Sequence, residues 1–327
     1  MAEMTYGEAL RATLEEEMDR DPALMLIGED IGRFGGVFGI TRGLLDKFGP
    51  QRVRSTPISE SAIVGAALGA ATTGTPTVAE LMYVDFVGCA MDQILNQVAK
   101  AHYMSGGTLR VPLVIRTAQG GGRGNAAQHS QSLESLFLHI PGLKVALPST
   151  PHDARGLLRS AIRGDDPVVF IEHKLLYSTK GRLPDGEYLV PLGEARIARP
   201  GSDATVVSLS HTVHRALKAA ERLAADGIEV EVIDLRTLVP LDLATVLASV
   251  RKTNRAVVAH EACRTGGWGA EVAAEIQAQA FDDLDAPVLR VGAKQVPVPY
   301  SKPLEEFVLP NEERIIAAVH AVRGTAR

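Results

Sequence analysis

Apolar positions along the chain fall into short runs rich in β-branched residues, separated by longer stretches in which they recur every three or four places. The short runs predict strands at Leu24–Ile27, Gln51–Ser55, Thr77–Met82, Val111–Arg116, Lys144–Leu147 and Pro167–Glu172. The longer patterns predict helices at Tyr6–Arg20, Ala62–Thr73, Ala90–Met104 and Ala154–Ile162. VPLVIR and DPVVFIEH are apolar on both faces, as expected of parallel strands covered by helices. Residues 178–202 break the rhythm with Gly181, Pro184, Gly186, Pro191, Gly193, Pro200 and Gly201, and read as a linker. The alternation then restarts: ATVVSLS, a helix from about Val213 to Ala225, EVEVIDL, a helix over Leu243–Val250, AVVAHEA, a helix after Gly269, and PVLRVGA. Two doubly wound α/β domains are expected, at 1–190 and 191–327.

Composition agrees with this picture and narrows the partners. The 327 residues are 46% hydrophobic and 22% charged, the balance of a folded chain, and 31 glycines suit many tight strand-to-helix turns. With 34 Lys+Arg against 39 Asp+Glu, the net charge of −5 is spread without long basic runs, which argues against nucleic acid. Cys89 and Cys263 lie far apart and form neither a disulfide framework nor a metal-ligand cluster. Glu15, Glu16, Glu17 and Asp19 are the wrong charge for a signal or transit peptide. No stretch approaches the ~20 apolar residues that cross a bilayer. The expectation is a soluble, cytoplasmic protein with no membrane partner.

Two stretches concentrate candidate chemistry. In TPISESAIVGAALGA, residues 56–70, a strand feeds a turn holding Glu60 and then a helix of small residues. Gly65 and Gly69 share one helix face, where another backbone could come close; the residues alone fit a capping acid beside a tightly packed helix equally well. In GNAAQHSQSLES, residues 124–135, a loop follows VPLVIRTA and the glycines 120–122. The order strand, G-x-G-x-x-G, helix is not met, so a phosphate cradle is disfavoured. A loop at the carboxyl end of a parallel strand is nonetheless where such folds place their sites. His129 on that loop is structural or catalytic, on residue type alone. TGGWGAEVA, residues 265–273, imitates a dinucleotide fingerprint but has Val272 where a third glycine belongs. His211 and His214 have no third ligand type grouped with them in sequence, and read as a satisfied surface pair or a pair at a helix start.

The spacing of Glu60, Gly65-Ala66 and Gly69-Ala70 resembles the motif of pyrimidine-binding domains in thiamine-diphosphate enzymes. AAQHSQSLES resembles the active-site loop of the beta subunits of 2-oxo acid dehydrogenase complexes, with His129 at the family's histidine position. IGEDIG, TRGLLDKFG, AELMYVDF, AMDQILNQVAK, YMSGG, HIPGLKVALPSTPHDARGLL, PVVFIEHKLLY, VIDLRTLVPLD, TGGWGAE and PVPYSKPLEEFVLP continue the agreement in order, from about residue 4 to 320. The chain is therefore identified as a member of the beta subunits of the decarboxylating first component, of pyruvate, branched-chain or acetoin type. The resemblance implies a pyrimidine-binding, transketolase-like domain at 1–190 and a transketolase C-terminal-like domain at 191–327. It implies that, with an alpha subunit, the chain oxidatively decarboxylates a 2-oxo acid (pyruvate or branched-chain) and reductively acylates a lipoyl domain. AELMYVDF and PSTPHDARGLL lean towards the acetoin and bacterial branched-chain types, so an acetoin dehydrogenase beta subunit is an alternative. A non-catalytic scaffold partner is another, against which the presence of both Glu60 and His129 speaks. A stand-alone nicotinamide oxidoreductase is disfavoured by the imperfect fingerprint.

The same resemblance assigns residues. Glu60 would meet the aminopyrimidine ring nitrogen of thiamine diphosphate and favour the imino tautomer, in a dry site that raises its pKa. Phe86 would lie against the pyrimidine, while Glu29 in IGED and Asp92 in MDQ resemble acids between the two cofactor sites of a heterotetramer. His129 would handle charge on the bound 2-oxo acid or protonate the lipoyl sulfur. The diphosphate needs a Gly-Asp-Gly segment and paired asparagines around Mg²⁺; the chain has DG at Asp226–Gly227 and GDD at Gly164–Asp166 but neither motif. The other half of the site, with its Mg²⁺, is thus expected from an alpha subunit in an alpha2beta2 heterotetramer. The C-terminal domain would also offer a docking surface for the dihydrolipoyl acyltransferase core. Relatives often bind structural potassium through backbone oxygens, at positions matching Leu113, Ala161, Ile162, Gly164 and Asp166. Gly164 and Asp166 depart from the Asp and Asn of some of those relatives.

Overall fold

In the computed structural model, which describes residues 2–324, the predicted alternation takes shape as two units. One comprises Met1–Gln119 and Leu136–Leu192, the other Gly120–Ser135 and Gly193–Arg327. The chain therefore passes into the second unit twice, and the His129 loop, which the reading above left inside 1–190, clusters with that unit.

The first unit opens with β1 (Ala2–Thr5) and α1 (Tyr6–Arg20). Thr5 caps α1 through its side chain while Glu8 reaches back to the Thr5 amide, a capping box that fixes the helix start where the pattern predicted it. β2 (Met25–Glu29), α2 (Leu44–Phe48), β3 (Val53–Thr56), α3 (Glu60–Thr72) and β4 (Thr77–Leu81) follow. The predicted helix at 90–104 is α4 (Val87–Asp92), a π-helical stretch over Gln93–Val98, and α5 (Ala99–Met104). Next come β5 (Leu113–Gln119), α6 (Glu134–Leu138, whose first two residues cluster with the second unit), β6 (Lys144–Ala146), α7 (Pro151–Ile162), β7 (Val168–His173) and β8 (Lys180–Leu183).

Within this unit the strands run β6-β7-β5-β4-β2-β3, every neighbouring pair parallel. Leu26, Val78, Val114 and Phe170 join Tyr6, Leu10 and Leu14 of α1 and Leu157 and Leu158 of α7 in one core. The alternate residues Ile27, Ala79, Ile115 and Ile171 are buried as well, so both faces are covered, as parallel strands require. Arg159 of α7 donates to Glu17 of α1 at 3.1 Å and ties the two helices across the core.

The second unit continues with β9 (Arg196–Arg199), β10 (Ala204–Ser208), α8 (His211–Ala225), β11 (Val230–Asp234), β12 (Thr237–Val239), α9 (Leu243–Thr253) and β13 (Ala256–Cys263). α10 (Gly269–Gln279), β14 (Leu289–Ala293), α11 (Lys302–Val308) and α12 (Glu312–Val322) complete it. Its sheet runs β14-β13-β10-β11-β9, with β9 alone antiparallel. Val213, Ala216 and Leu223 of α8 and Ile315 and Val319 of α12 cover one face around Val206, Val232 and Val257. The segment read as a linker thus contains two short strands: β8, which pairs with β1, and the edge strand β9. Each is four residues long with two basic side chains, KGRL and RIAR, which helps an edge resist unwanted pairing and leaves too short a pattern to read as a strand. Among the described residues no helix is long and apolar enough to cross a membrane.

Candidate functional site

The carboxyl edge of the first unit's sheet gathers acids. Glu29 ends β2, and Glu60 begins α3 just after β3, in a first turn where the helix dipole favours a carboxylate. The two lie close enough that Glu60, after burial and Asp30, raises the pKa of Glu29. Glu60 is only half-buried by this chain. At the end of β3, four residues before Glu60, Thr56 Oγ1 is buried with no hydrogen-bond partner, a polar group left for something to satisfy. Phe86 follows β4 and is half-buried, edge to face with Tyr83 at 5.6 Å between ring centroids. Tyr83 leads on to Phe38 at 5.5 Å, so an aromatic row supports Phe86 from within. A carboxylate able to share a proton with a ring nitrogen, an aromatic face for a flat ring and an unsatisfied hydroxyl suit the pyrimidine end of thiamine diphosphate.

Asp92 ends α4 and is exposed; its carboxylate accepts from Asn96 Nδ2 at 2.7 Å and Gln93 Nε2 at 3.4 Å. On α3, a Cβ built on Gly65 would meet Gln93 Oε1 at 3.1 Å, whereas one on Gly69 would meet nothing within 4 Å. The two glycines therefore differ: Gly65 makes room for its own chain, and Gly69 faces outward.

Beneath this edge lies a charge cluster that sequence reasoning missed. Arg116 of β5 forks onto Glu172 of β7 at 2.6 and 2.9 Å and reaches Glu80 of β4 at 2.7 Å. Tyr177 donates to Glu172 at 2.7 Å. Arg116 is 3% and Glu172 1% exposed, and the adjoining void of about 10 Å³ is room for one water at most. Burial raises Glu80, with Arg116 opposing and Glu172 reinforcing; burial and then Glu172 push the Tyr177 phenol well up. The signal was present, as charged letters inside the apolar runs VPLVIR and PVVFIEH. Gly36, with φ +74°, brings the loop after β2 so near that a Cβ there would lie 2.8 Å from Glu80 Oε1.

In the second unit, the His129 loop lines a cleft of about 490 Å³ with Ala127, Gln128, Ser130 and Leu133, opposite Cys263, Val296 and Val298. His129 itself is half-buried. The loop is closed by Gly120 N–H donating to the Gln131 carbonyl at 3.0 Å. His211 and His214 open α8 with their rings 6.3 Å apart, and His211 Nδ1 lies 3.8 Å from Glu261 Oε2.

Two of the three glycines of TGGWG, together with Gly292, are accounted for by packing, while Gly266 takes a positive φ of +71° with nothing near it. Cβ atoms on Gly267, Gly269 and Gly292 would lie 2.5, 2.5 and 2.9 Å from the ring of His260, which is 1% exposed and rests on Trp268. They form a cage for a buried imidazole rather than a loop for a pyrophosphate. Of the positions matched to potassium, Leu113 opens β5, Ala161 and Ile162 end α7, and Gly164 follows. A Cβ on Gly164 would lie 3.5 and 3.6 Å from the Ser160 and Ala161 carbonyl oxygens, at the helix end where the dipole favours a cation. The Asp166 side chain is engaged by Lys144 at 2.7 Å.

Comparison with known proteins agrees on the architecture. The profile of the transketolase pyrimidine binding domain matches residues 2–180, and that of the transketolase C-terminal domain residues 193–315. A subunit beta of acetoin:2,6-dichlorophenolindophenol oxidoreductase from Cupriavidus necator is 49% identical over 95% of this chain and 94% of its own length. A pyruvate dehydrogenase E1 component subunit beta from Staurastrum punctulatum is 44% identical over 98% of this chain and 97% of its own length. A 2-oxoisovalerate dehydrogenase subunit beta from Bacillus subtilis is 43% identical over 98% of each. Among solved structures, a split-gene transketolase in an inactive beta4 tetramer superposes with a TM-score of 0.81 over 99% of both chains, at 23% identity, which speaks to the fold.

Proposed function

The chain belongs to the family of transketolase-type beta subunits found in pyruvate, branched-chain and acetoin dehydrogenases, and from this premise we propose that it is the beta subunit of a thiamine-diphosphate-dependent 2-oxo acid dehydrogenase. The observation that carries the reading is Glu60 at the first residue of a helix, with Glu29 beside it.

Thiamine diphosphate, when bound, supplies the carbon nucleophile and the electron sink that decarboxylation needs. Glu60 would hold the pyrimidine end and keep a proton shared with its ring nitrogen. Phe86 would lie against the ring, fixed by Tyr83. Glu29 and Asp92 would form the acidic surroundings on the same side. His129 would carry the proton handled at the 2-oxo acid or at the lipoyl sulfur. An alpha subunit would supply the diphosphate half and its Mg²⁺, in an alpha2beta2 assembly located in the cytoplasm, where Cys89 and Cys263 are free thiols. A lipoyl domain and the acyltransferase core would be the acyl acceptors. Potassium would sit among the backbone oxygens of Leu113, Ala161, Ile162, Gly164 and Asp166. Acetoin is the second substrate reading, favoured by the 49% identity to the Cupriavidus necator protein.

The test is a thiamine diphosphate titration of the chain alone and co-expressed with its alpha partner, followed by turnover with a panel of 2-oxo acids and acetoin and an artificial electron acceptor. Tight, Mg²⁺-dependent binding in the mixture alone, with turnover of one panel member, is expected. Tight binding by the isolated chain would overturn the shared site, and a mixture that turns over nothing would leave a scaffold.

A further inference from the structure

The loop that carries His129 is held from the second unit's own interior, and we infer that Glu305 and Glu261 are positioning residues for His129. Glu305, 1% exposed on α11, accepts from the Gly122 amide at 2.7 Å with one oxygen and from the Gly124 amide at 3.1 Å with the other. Glu261, 6% exposed on β13, accepts from the Gly121 amide at 2.8 Å and from Ser132 Oγ at 3.3 Å through one oxygen. Charged acceptors of this kind make stronger hydrogen bonds than neutral ones, and buried ones are costly to leave unmatched.

The glycines explain how the amides reach these carboxylates. Gly120, Gly122 and Gly124 have φ of +99°, +91° and +66°, so the chain turns its N–H groups inward. A Cβ on Gly121 would lie 2.7 Å from Leu309 and 3.3 Å from Glu305 Oε1, so the backbone is seated directly on α11. The far end of the loop is fastened as well: Trp268 donates its amide to Ser135 Oγ at 2.8 Å and its indole N–H to Glu134 at 3.2 Å. His129 lies between these two anchorages. The glycine run thus binds carboxylates of its own chain where a phosphate cradle would bind a ligand.

This inference rests on the reading of His129 given above, and the test separates the two. In the complex with the alpha partner, Glu305→Gln keeps the side-chain volume but turns one acceptor into an NH₂ facing a backbone N–H. Acyl transfer to the lipoyl domain should fall on the order of 10- to 100-fold, the cost of misplacing a catalytic group by about 1 Å. Amide hydrogen exchange over residues 120–135 should quicken in Glu305→Gln while the rest of the second unit holds its protection. The double variant with His129→Ala should be no slower than His129→Ala alone. Glu261→Gln should behave likewise and stands in should Glu305→Gln not fold. Unchanged exchange over the loop, or losses that multiply in the double variant, would overturn the positioning role. Normal acyl transfer by His129→Ala would overturn the role of His129 and the positioning role with it; the exchange data, read without turnover, tell the two failures apart.

Discussion

Glu60 and His129 are supported in opposite ways. On the Glu60 side the first unit is exposed: Ile58, two residues before Glu60, is 76% exposed, and further along, Gly69 of the same helix meets nothing on its outer side and Gly88 and Cys89 of α4 are exposed. The loop of His129 is fastened at both ends by buried groups of the second unit. The difference separates two sources of order. A loop whose amides end on buried carboxylates takes its shape when the chain folds. A carboxylate on an open helix end would gain dry surroundings only if another surface covered it.

The largest effect that can break this contrast is at Glu60. Glu60→Gln in the assembled enzyme should lower decarboxylation by about 10²–10⁴-fold, the range of a lost proton-handling group. The unfolding midpoint of the isolated chain should barely move, because Glu60 is half-exposed and what its charge gains from the helix dipole is offset by its repulsion of Glu29. Steady-state turnover and urea melts check the two halves. Near-wild-type turnover would remove Glu60 from the chemistry, and a large stability loss would show the open side to be structural.

Arg116→Leu should do the reverse, on the closed interior below. It strands Glu80 and Glu172 in a buried site, and losing one partner of a buried ion pair costs about 3–5 kcal/mol. The sign of the pH dependence follows from Glu80, whose pKa burial already raises. With the guanidinium gone, nothing opposes that rise, so the stranded acid takes up a proton more readily when folded than when unfolded. The loss should therefore shrink as pH falls. Urea melts at pH 8 and pH 5.5 check it, and a deficit that grows with acid would place the cost elsewhere.

How much of this was legible depends on how far each feature reaches along the chain. The Tyr6–Arg20 helix was, because its stripe and its Thr5–Glu8 box are local. Glu60 stood out through motif spacing, and His129 through the letters of its loop, AAQHSQSLES. The strands β8 and β9 did not, because edge strands of four residues with two basic side chains each are too short a pattern to read. The partner of the glycine run was out of reach for a different reason: Gly122 and Glu305 are 183 residues apart, and nothing in VPYSKPLEEF marks which acid turns inward. Arg116 and Glu172, 56 apart, announced themselves only as charges in apolar runs, without saying that they meet. Local hydrogen-bonding chemistry is written in adjacent letters; long-range pairing of buried charges is not.

His260 tests the closed side of the second unit at a smaller scale. Burial lowers its pKa to about 4 from an ordinary 6.5. Above pH 6.5 neither state binds the proton and His260 contributes no pH dependence. As pH falls from about 6.5 to about 4 the unfolded chain binds it and the folded one does not, so stability is lost, by about 3 kcal/mol in all. Urea melts through that window should show the slope, and His260→Asn, which can still donate to the Ala262 carbonyl, should flatten it. A slope unchanged in the variant would assign the acid sensitivity to other groups.

The smallest effect on folding discriminates most sharply between the two supports. A glycine inside a helix costs about 1 kcal/mol relative to a good helix former, and a side chain on Gly69 would meet nothing of its own chain. Gly69→Leu should therefore stabilise the isolated chain by about 0.5–1 kcal/mol, read as a rise in the urea midpoint. On the same outward face stands Ala66, also small and exposed, which lets another backbone come close. Leucine at 69 would hold it off, so the variant should fold better and assemble worse, losing co-purification with the alpha partner or self-association in size-exclusion chromatography. Gly65→Ala separates crowding from contact, since its methyl would press only on the movable end of Gln93. If Gly69→Leu assembles as the parent does, this face of α3 is solvated in the assembly too, and the open surroundings of Glu60 are then a property of the enzyme rather than of one chain waiting for another.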